Sequence, residues 1–352
     1  MLSVIKLDER EKWDSIVKGF KNYDVYYLAN YTKAFKVHGD GEPTLFYYED
    51  GNIKAINVVM KRDVADDQKF IGKILPNTFY DLTTPYGYGG FLVEGNIAEN
   101  SLKALDYEYS SFCEKEGIIS EFVRFHPVLN NNEHAKNFYN VTNLGKTITL
   151  PLTSSDEIWN NLSTNKKRWV KKNVEVGVKI YWGRNPELFK QFKQMYDKTM
   201  EKNNAKDYYY FNEDFYKSVL HDMSYNSLIF YAVYEEQKVA MVLVIYGENN
   251  IHHHLSASVQ EFQHLAPTNL LMYEVACWGS ENGFNSFHMG GGVGSNEDTL
   301  YKFKQGFNKK SNTNFSIGKK IFNVEKYKQL IEIRKMEEGF DESTLFFPLY
   351  RM

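Results

Sequence analysis

One pattern of apolar and polar positions runs through the chain twice. Residues 45–59 carry two β-favouring runs, Leu45-Phe46-Tyr47-Tyr48 and Ile53 onward to Val59, on either side of the turn pair Asp50-Gly51, which predicts a hairpin. Residues 228–245 repeat this, with Ile229-Phe230-Tyr231-Ala232-Val233-Tyr234 and Val239-Ala240-Met241-Val242-Leu243-Val244-Ile245 flanking Glu235-Glu236-Gln237-Lys238. After each hairpin the periodicity predicts a further strand, a helix of about four turns and another strand. In the first half these fall at 77–81, 101–117 and 121–125, and in the second at 250–256, 268–283 and 286–289. The chain thus reads as an internal duplication of an α/β unit with mixed sheets.

Between the repeats the pattern breaks at 141–152, through Asn143-Leu144-Gly145 and Leu150-Pro151-Leu152. This predicts two domains, 1–147 and 148–352, each large enough to hold its own core. The second opens on a helix started by Ser154 and Glu157 at capping-box spacing, with Ile158, Trp159, Leu162, Trp169 and Val170 on one stripe and Gly177 as its stop.

Composition narrows the class. The 26 Tyr and 25 Phe among 352 residues favour sheet-rich cores with wet edges over a helical bundle. Cys113 and Cys277 lie far apart inside apolar patterns, so no disulfide framework or metal knuckle is implied. The first ten residues lack a basic region followed by an apolar run, and no stretch approaches a membrane span; a soluble, cytoplasmic protein is expected. A net charge of -3 gives no global pull toward nucleic acid, so contact with a polyanion has to come from a local patch. One such patch is Lys166-Lys167-Arg168 with Lys171-Lys172, where Lys167, Arg168 and Lys171 are candidates to hold a tRNA backbone or a pyrophosphate-linked sugar, and where a solvated helix face is the plain alternative.

The most informative stretch is 252–308. It runs from a strand through Gln260-Glu261-Phe262-Gln263-His264-Leu265-Ala266-Pro267 into an apolar helix beginning Thr268-Asn269-Leu270-Leu271. A strand ending Met289-Gly290-Gly291-Gly292 follows, and then Tyr301-Lys302-Phe303-Lys304-Gln305-Gly306-Phe307. The order of these parts resembles acyltransferases of the GNAT type, and the Ala-Pro-Thr-Asn-Leu-Leu and Tyr-Lys-Phe-Lys-Gln-Gly-Phe runs resemble the Fem family, which attaches amino acids to cell-wall peptide precursors. The resemblance implies two tandem GNAT-like domains. The long coiled-coil arm some Fem members insert has no counterpart in this sequence.

It also implies a chemistry: transfer of an acyl or aminoacyl group to an amine of a cell-envelope or polysaccharide precursor, from acyl-CoA or aminoacyl-tRNA, with no tightly bound cofactor. A non-catalytic module that binds a sugar nucleotide or RNA on the same scaffold is the alternative. The donor's phosphates suit a helix N-terminus, here Ala266, Pro267, Thr268 and Asn269. The preceding loop lacks the glycines of ordinary GNAT enzymes, which puts coenzyme A in question. By the resemblance, Tyr301 protonates the leaving group and Lys304 stabilises negative charge at the attacked carbonyl. Lys302 lies elsewhere on the same helix, which argues against a shared task.

Other positions are read from the residues themselves. Gly291 and Gly292 suit close approach of backbone to a substrate, while the Lys-Ser/Thr ending of a P-loop is missing. In the first half, Tyr86, Gly87 and Tyr88 suit a sugar ring or nucleobase, and Arg124 with His126 on one strand face suits a carboxylate or phosphate. A structural turn and a buried ion pair explain the same residues equally well. His254 and Glu274 are weak candidates for a general base, and the histidines of 252–254 lack the further ligand that a metal site would need. The oligomeric state has no signature in the sequence.

Overall fold

The computed structural model describes residues 1–352 and divides into two compact units, 1–144 with 315–352, and 145–314. The expected domains, 1–147 and 148–352, are corrected at the C-terminal side. Residues from Phe315 onward return to the first unit because Thr313–Ile321 pairs antiparallel with Ile118–Arg124, Ile317 opposite Arg124 and Ile321 opposite Ser120.

In the first unit, strands Leu2–Lys6, Glu42–Glu49, Ile53–Asp63, Tyr80–Thr83, Ile118–Arg124 and Thr313–Ile321 are neighbours in that order, and Leu92–Gly95 adds to the start of the third. Only the 80–83 and 118–124 pair is parallel. Its core holds Phe46, Tyr48, Leu82, Leu105, Tyr109 and Phe125, and a smaller cluster gathers Val64, Phe70, Ile119, Tyr327, Leu330 and Tyr350. Within the main core Glu121 is fully buried, and it accepts hydrogen bonds from Asn57 Nδ2 (2.7 Å), Tyr109 Oη (3.0 Å) and Tyr139 Oη (2.6 Å). The C-terminal residues close on Asp81, whose carboxylate takes bonds from Arg62, Tyr350 and Arg351.

The second unit orders its strands as Asn140–Pro151, Ser286–Gly290, Asn250–Ser258, Gln237–Tyr246, Ser227–Tyr234 and Lys179–Gly183. Leu228, Phe230, Ala232, Ala240, Val242 and Val244 share a core with helix Thr268–Glu281. The alternate residues Ile229, Met241, Leu243 and Ile245 are also buried, toward the other face, where helix Pro186–Lys202 packs on the sheet. Burial on both faces explains why these strands read as continuous apolar runs rather than alternating ones.

The helix expected from Ser154 to Gly177 is two helices, Ser155–Asn161 and Thr164–Glu175. Ser154 caps the first as the sequence predicts, its side chain accepting from Glu157 N. Leu162 is extended, and Ser163 then caps a second helix by accepting from Lys166 N. The apolar stripe survives the break because Ile158, Leu162 and Val170 all reach the same core. No helix exceeds the 17 residues of Glu99–Lys115 and Pro186–Lys202, and none is long and apolar enough to cross a membrane.

Candidate functional site

Strands 250–258 and 286–290 run parallel but are registered only from Asn250 opposite Ser286 to His252 opposite His288. Beyond that point 250–258 continues for six residues outside this register. Ser258, at the far end of the longer strand, borders a pocket of about 600 Å³. A 3-10 turn, Gln260–Leu265, leads from there to Ala266, held in the left-handed region (φ 49°), and through Pro267 into helix 268–281. No side chain caps this N-terminus, and its first residues, Thr268 and Asn269, face the pocket.

The expected donor residues Ala266, Pro267, Thr268 and Asn269 therefore lie together on one wall. Helix 164–175 holds that wall in place. Asn269 is only 4% exposed; its Nδ2 donates to Ala266 O (2.9 Å) and its Oδ1 accepts from Lys166 Nζ (2.7 Å). Two turns on, Asn173 Nδ2 donates to Leu265 O (2.6 Å). Lys166, 6% exposed, also lies over the rings of Phe303 and Phe307, 3.4 and 4.5 Å from their centroids. Burial pushes its ammonium down to about 7. The sequence marked the charge run that holds Lys166 without separating it from its neighbours. The separating signal was its spacing from Val170 and Asn173, which places all three on the buried face of the helix.

The other basic residues of the run point outward. Lys167 and Lys171 each lie 5.8 Å from the Trp159 ring, Lys172 lies 4.9 Å from that of Trp169, and Arg168 donates to Asn165 Oδ1 (2.9 Å). This is a half-open cationic face on aromatic supports.

Helix Thr299–Gln305 places its lysines on two sides. Lys302, set aside by sequence reasoning, lines the pocket with Phe303 and Gly306. Lys304 is 6% exposed and points instead toward the glycine loop, where its Nζ donates to Gly291 O (2.7 Å). Burial pushes Lys304 down to about 8, and the nearby Asp298 charge acts in the opposite direction. Asp298 itself caps the helix through Tyr301 N (2.8 Å) and ties down the loop through Val293 N (3.1 Å). Tyr301 packs into the core shared with helix 268–281 rather than lining the pocket.

The glycines of this loop serve the protein's own packing. A Cβ at Gly291 would meet Lys146 O at 3.0 Å, and one at Gly292 would collide with Asn296 O and the Asp298 carboxylate. His253 is pushed down to about 3 by burial and by the Lys304 charge, and His254 to about 3 by burial and the neighbouring histidines. Both imidazoles are neutral at physiological pH. Glu274 is raised by burial and by Glu281.

In the first unit, Tyr86, Gly87 and Tyr88 join an aromatic cluster. Tyr86 stacks on Phe35 and its carbonyl accepts from Tyr31 Oη, while Tyr88 packs edge-on to Tyr26 and Phe315. Gly87, at φ +95°, passes so close to the Tyr26 ring that no side chain fits there. His126 is buried 3.4 Å from an Asp24 oxygen and accepts from Leu129 N at Nδ1 (3.2 Å). Arg124 lies over Phe122, and its side chain is not part of the His126 pair.

Residues 161–304 match the family described as acetyltransferase (GNAT) domain. Among solved structures, that of FemX is similar over 94% of this chain and all of its own, at 15% identity and a TM-score of 0.67. L-PGS from Bacillus licheniformis is similar over 94% of this chain and 97% of its own, at 16% identity and a TM-score of 0.56. A tandem GNAT protein from the clavulanic acid biosynthesis pathway is similar over 92% of this chain and 99% of its own, at 8% identity and a TM-score of 0.51. Among curated proteins none matches the chain in sequence.

Proposed function

We propose that this chain is an N-acyltransferase acting on an amine of a cell-envelope or polysaccharide precursor, since residues 161–304 match a GNAT acetyltransferase domain and the chain shares the FemX fold. The observation that carries this reading is the pocket at the end of strand 250–258, bounded by Ser258, by the start of helix 268–281 and by Lys166 and Lys302. A phosphate-bearing donor finds there the positive end of a helix dipole and two lysines. Its acyl carbonyl then extends along the end of strand 250–258, where the acceptor amine attacks. The new C–N bond forms as the C–O or C–S bond of the donor breaks, and the amine proton leaves with the departing group.

In this reading Lys304, beside Gly291, steadies the oxyanion of the tetrahedral intermediate, which is worth most in a site shielded from water. Tyr301 would need to leave its core position to protonate the leaving group, so we assign it a secondary part. Neutral His253 and His254 are too weakly basic to take the amine's proton, which favours an acceptor that arrives already deprotonated.

For the donor we favour an aminoacyl ester over a thioester. The turn at 260–265 carries bulky side chains and no glycine, and the fold is shared with the C-terminal domain of a putative lysylphosphatidylglycerol synthetase from Agrobacterium fabrum. Thermal unfolding with acetyl coenzyme A and with aminoacyl-tRNA tests this. A true donor at about a hundred times its dissociation constant stabilises the fold by roughly 2.7 kcal/mol. If neither donor shifts the transition, the donor assignment fails.

A further inference from the structure

The pocket contains a buried cation without a counter-ion. Lys166 Nζ has one side-chain hydrogen bond, to the neutral Asn269 Oδ1, and two aromatic faces, and no carboxylate pulls on its charge. The charged groups around it are few. From its own helix Asn165 and Trp169 line the pocket, from 268–281 Thr268 and Asn269, from the 260–265 turn Gln263, and from the sheet Ser258, none of them titratable in the working range. From helix 299–305 the pocket receives Lys302, while Lys304 turns away to Gly291. The stem of Lys166 is confined as well, since a Cβ at Gly306 would meet its Cε at 2.7 Å.

A buried ammonium left unpaired is a costly arrangement, and proteins keep one chiefly where a partner arrives from outside. The partner that fits is an anion, because the second cation in the pocket and the helix N-terminus carry the same sign of charge. We propose that Lys166 and Asn269 form a phosphate subsite of the donor pocket, in which entry of the phosphate is accompanied by uptake of a proton onto Lys166. This rests on the donor reading above and adds to it the pairing of Lys166 with Asn269 and the coupling. The phosphate is a pyrophosphate if the donor is a coenzyme A ester, and a phosphodiester if it is the CCA end of an RNA.

The surroundings of Lys166 support the coupling, since burial leaves it partly neutral near pH 7 and a phosphate at hydrogen-bond distance restores the charge. The sign follows from linkage. The bound state holds more protons than the free state above about pH 7, so affinity falls as pH rises, by up to ~10-fold per pH unit.

Calorimetric titration of the full chain with coenzyme A, and separately with a hairpin RNA ending in CCA, measures this in buffers of different ionisation enthalpy. Near pH 8 the wild type should take up close to one proton with whichever probe binds, and the probe that binds identifies the source of the phosphate. Lys166→Met should lose that uptake and weaken binding by roughly 10- to 100-fold at about pH 6.5, while Lys166→Arg should bind without uptake. Unfolding curves for both variants confirm that the fold persists. If the wild type binds a probe and Lys166→Met matches it in affinity and uptake, the subsite is overturned and the donor reading stands. If neither probe binds the wild type between about pH 6 and 9, where the proposed linkage operates, both are overturned.

Discussion

Replacing Lys304 with Met tests whether this lysine is kept for chemistry or for the fold, because the two roles predict opposite changes in stability. The unfolded chain holds the Lys304 proton up to the ordinary 10.5, whereas burial lets the folded chain hold it only to about 8. At ~1.4 kcal/mol per pKa unit, the buried charge costs roughly 3 kcal/mol at neutral pH, and this cost is removed as pH rises from about 8 to 10.5. Methionine fills a similar volume and removes the charge, at the expense of the bond to Gly291 O, whose loss costs about 1–2 kcal/mol. Lys304→Met should then be more stable than wild type by ~1–2 kcal/mol near neutral pH, and the advantage should vanish at about pH 10. Urea unfolding at both pH values, with unchanged dependence on denaturant, is the assay. Lys166 contributes its own pH dependence equally to both proteins. A variant less stable by ~2 kcal/mol or more at neutral pH, with the pH response of wild type, would refute the reasoning and make Lys304 a structural pin.

Lys304→Ala should lower turnover by on the order of 10²-fold in an acyl-transfer assay with the fold intact, and unchanged turnover would remove it from the mechanism. Gly292→Ala should destabilise the second unit by more than ~2 kcal/mol, since the new methyl meets Asn296 O and the Asp298 carboxylate that caps helix 299–305; chemical denaturation measures it. Changing Lys167, Arg168 and Lys171 together to Gln should flatten the salt dependence of RNA binding by about 0.7 in log–log slope for each phosphate no longer neutralised, and leave coenzyme A binding near wild type.

Periodicity made the frame of both units legible. The hairpins at 45–59 and 228–245 form, their central residues alternating between two buried faces, and helix 268–281 begins at the predicted residue. Ser154 was readable as a cap because its partner Glu157 stands at the right spacing. Ser163 was not, because apolar residues recur on one stripe straight across it and hide the extended Leu162. Residues 315–352 were misplaced for a different reason: they pair with 118–124, and nothing local records a partner so distant in sequence. At the site, the run of lysines was visible, but charge alone says nothing of which one is turned inward. The glycines at 291 and 292 show the limit of composition, since close approach was expected and the atoms approached belong to the protein itself.

The return of 315–352 to the first unit gives the two units different timetables of synthesis. Residues 145–314 are contiguous, so their sheet has every strand available once that stretch has left the ribosome. The outer unit has to wait, with one strand edge at 118–124 unpaired and Asp81 without two of its partners, until residues 315–352 arrive. The segment made in the middle can be finished before the one made first, and the nascent outer half is the stage most exposed to strand-edge association or to chaperone capture.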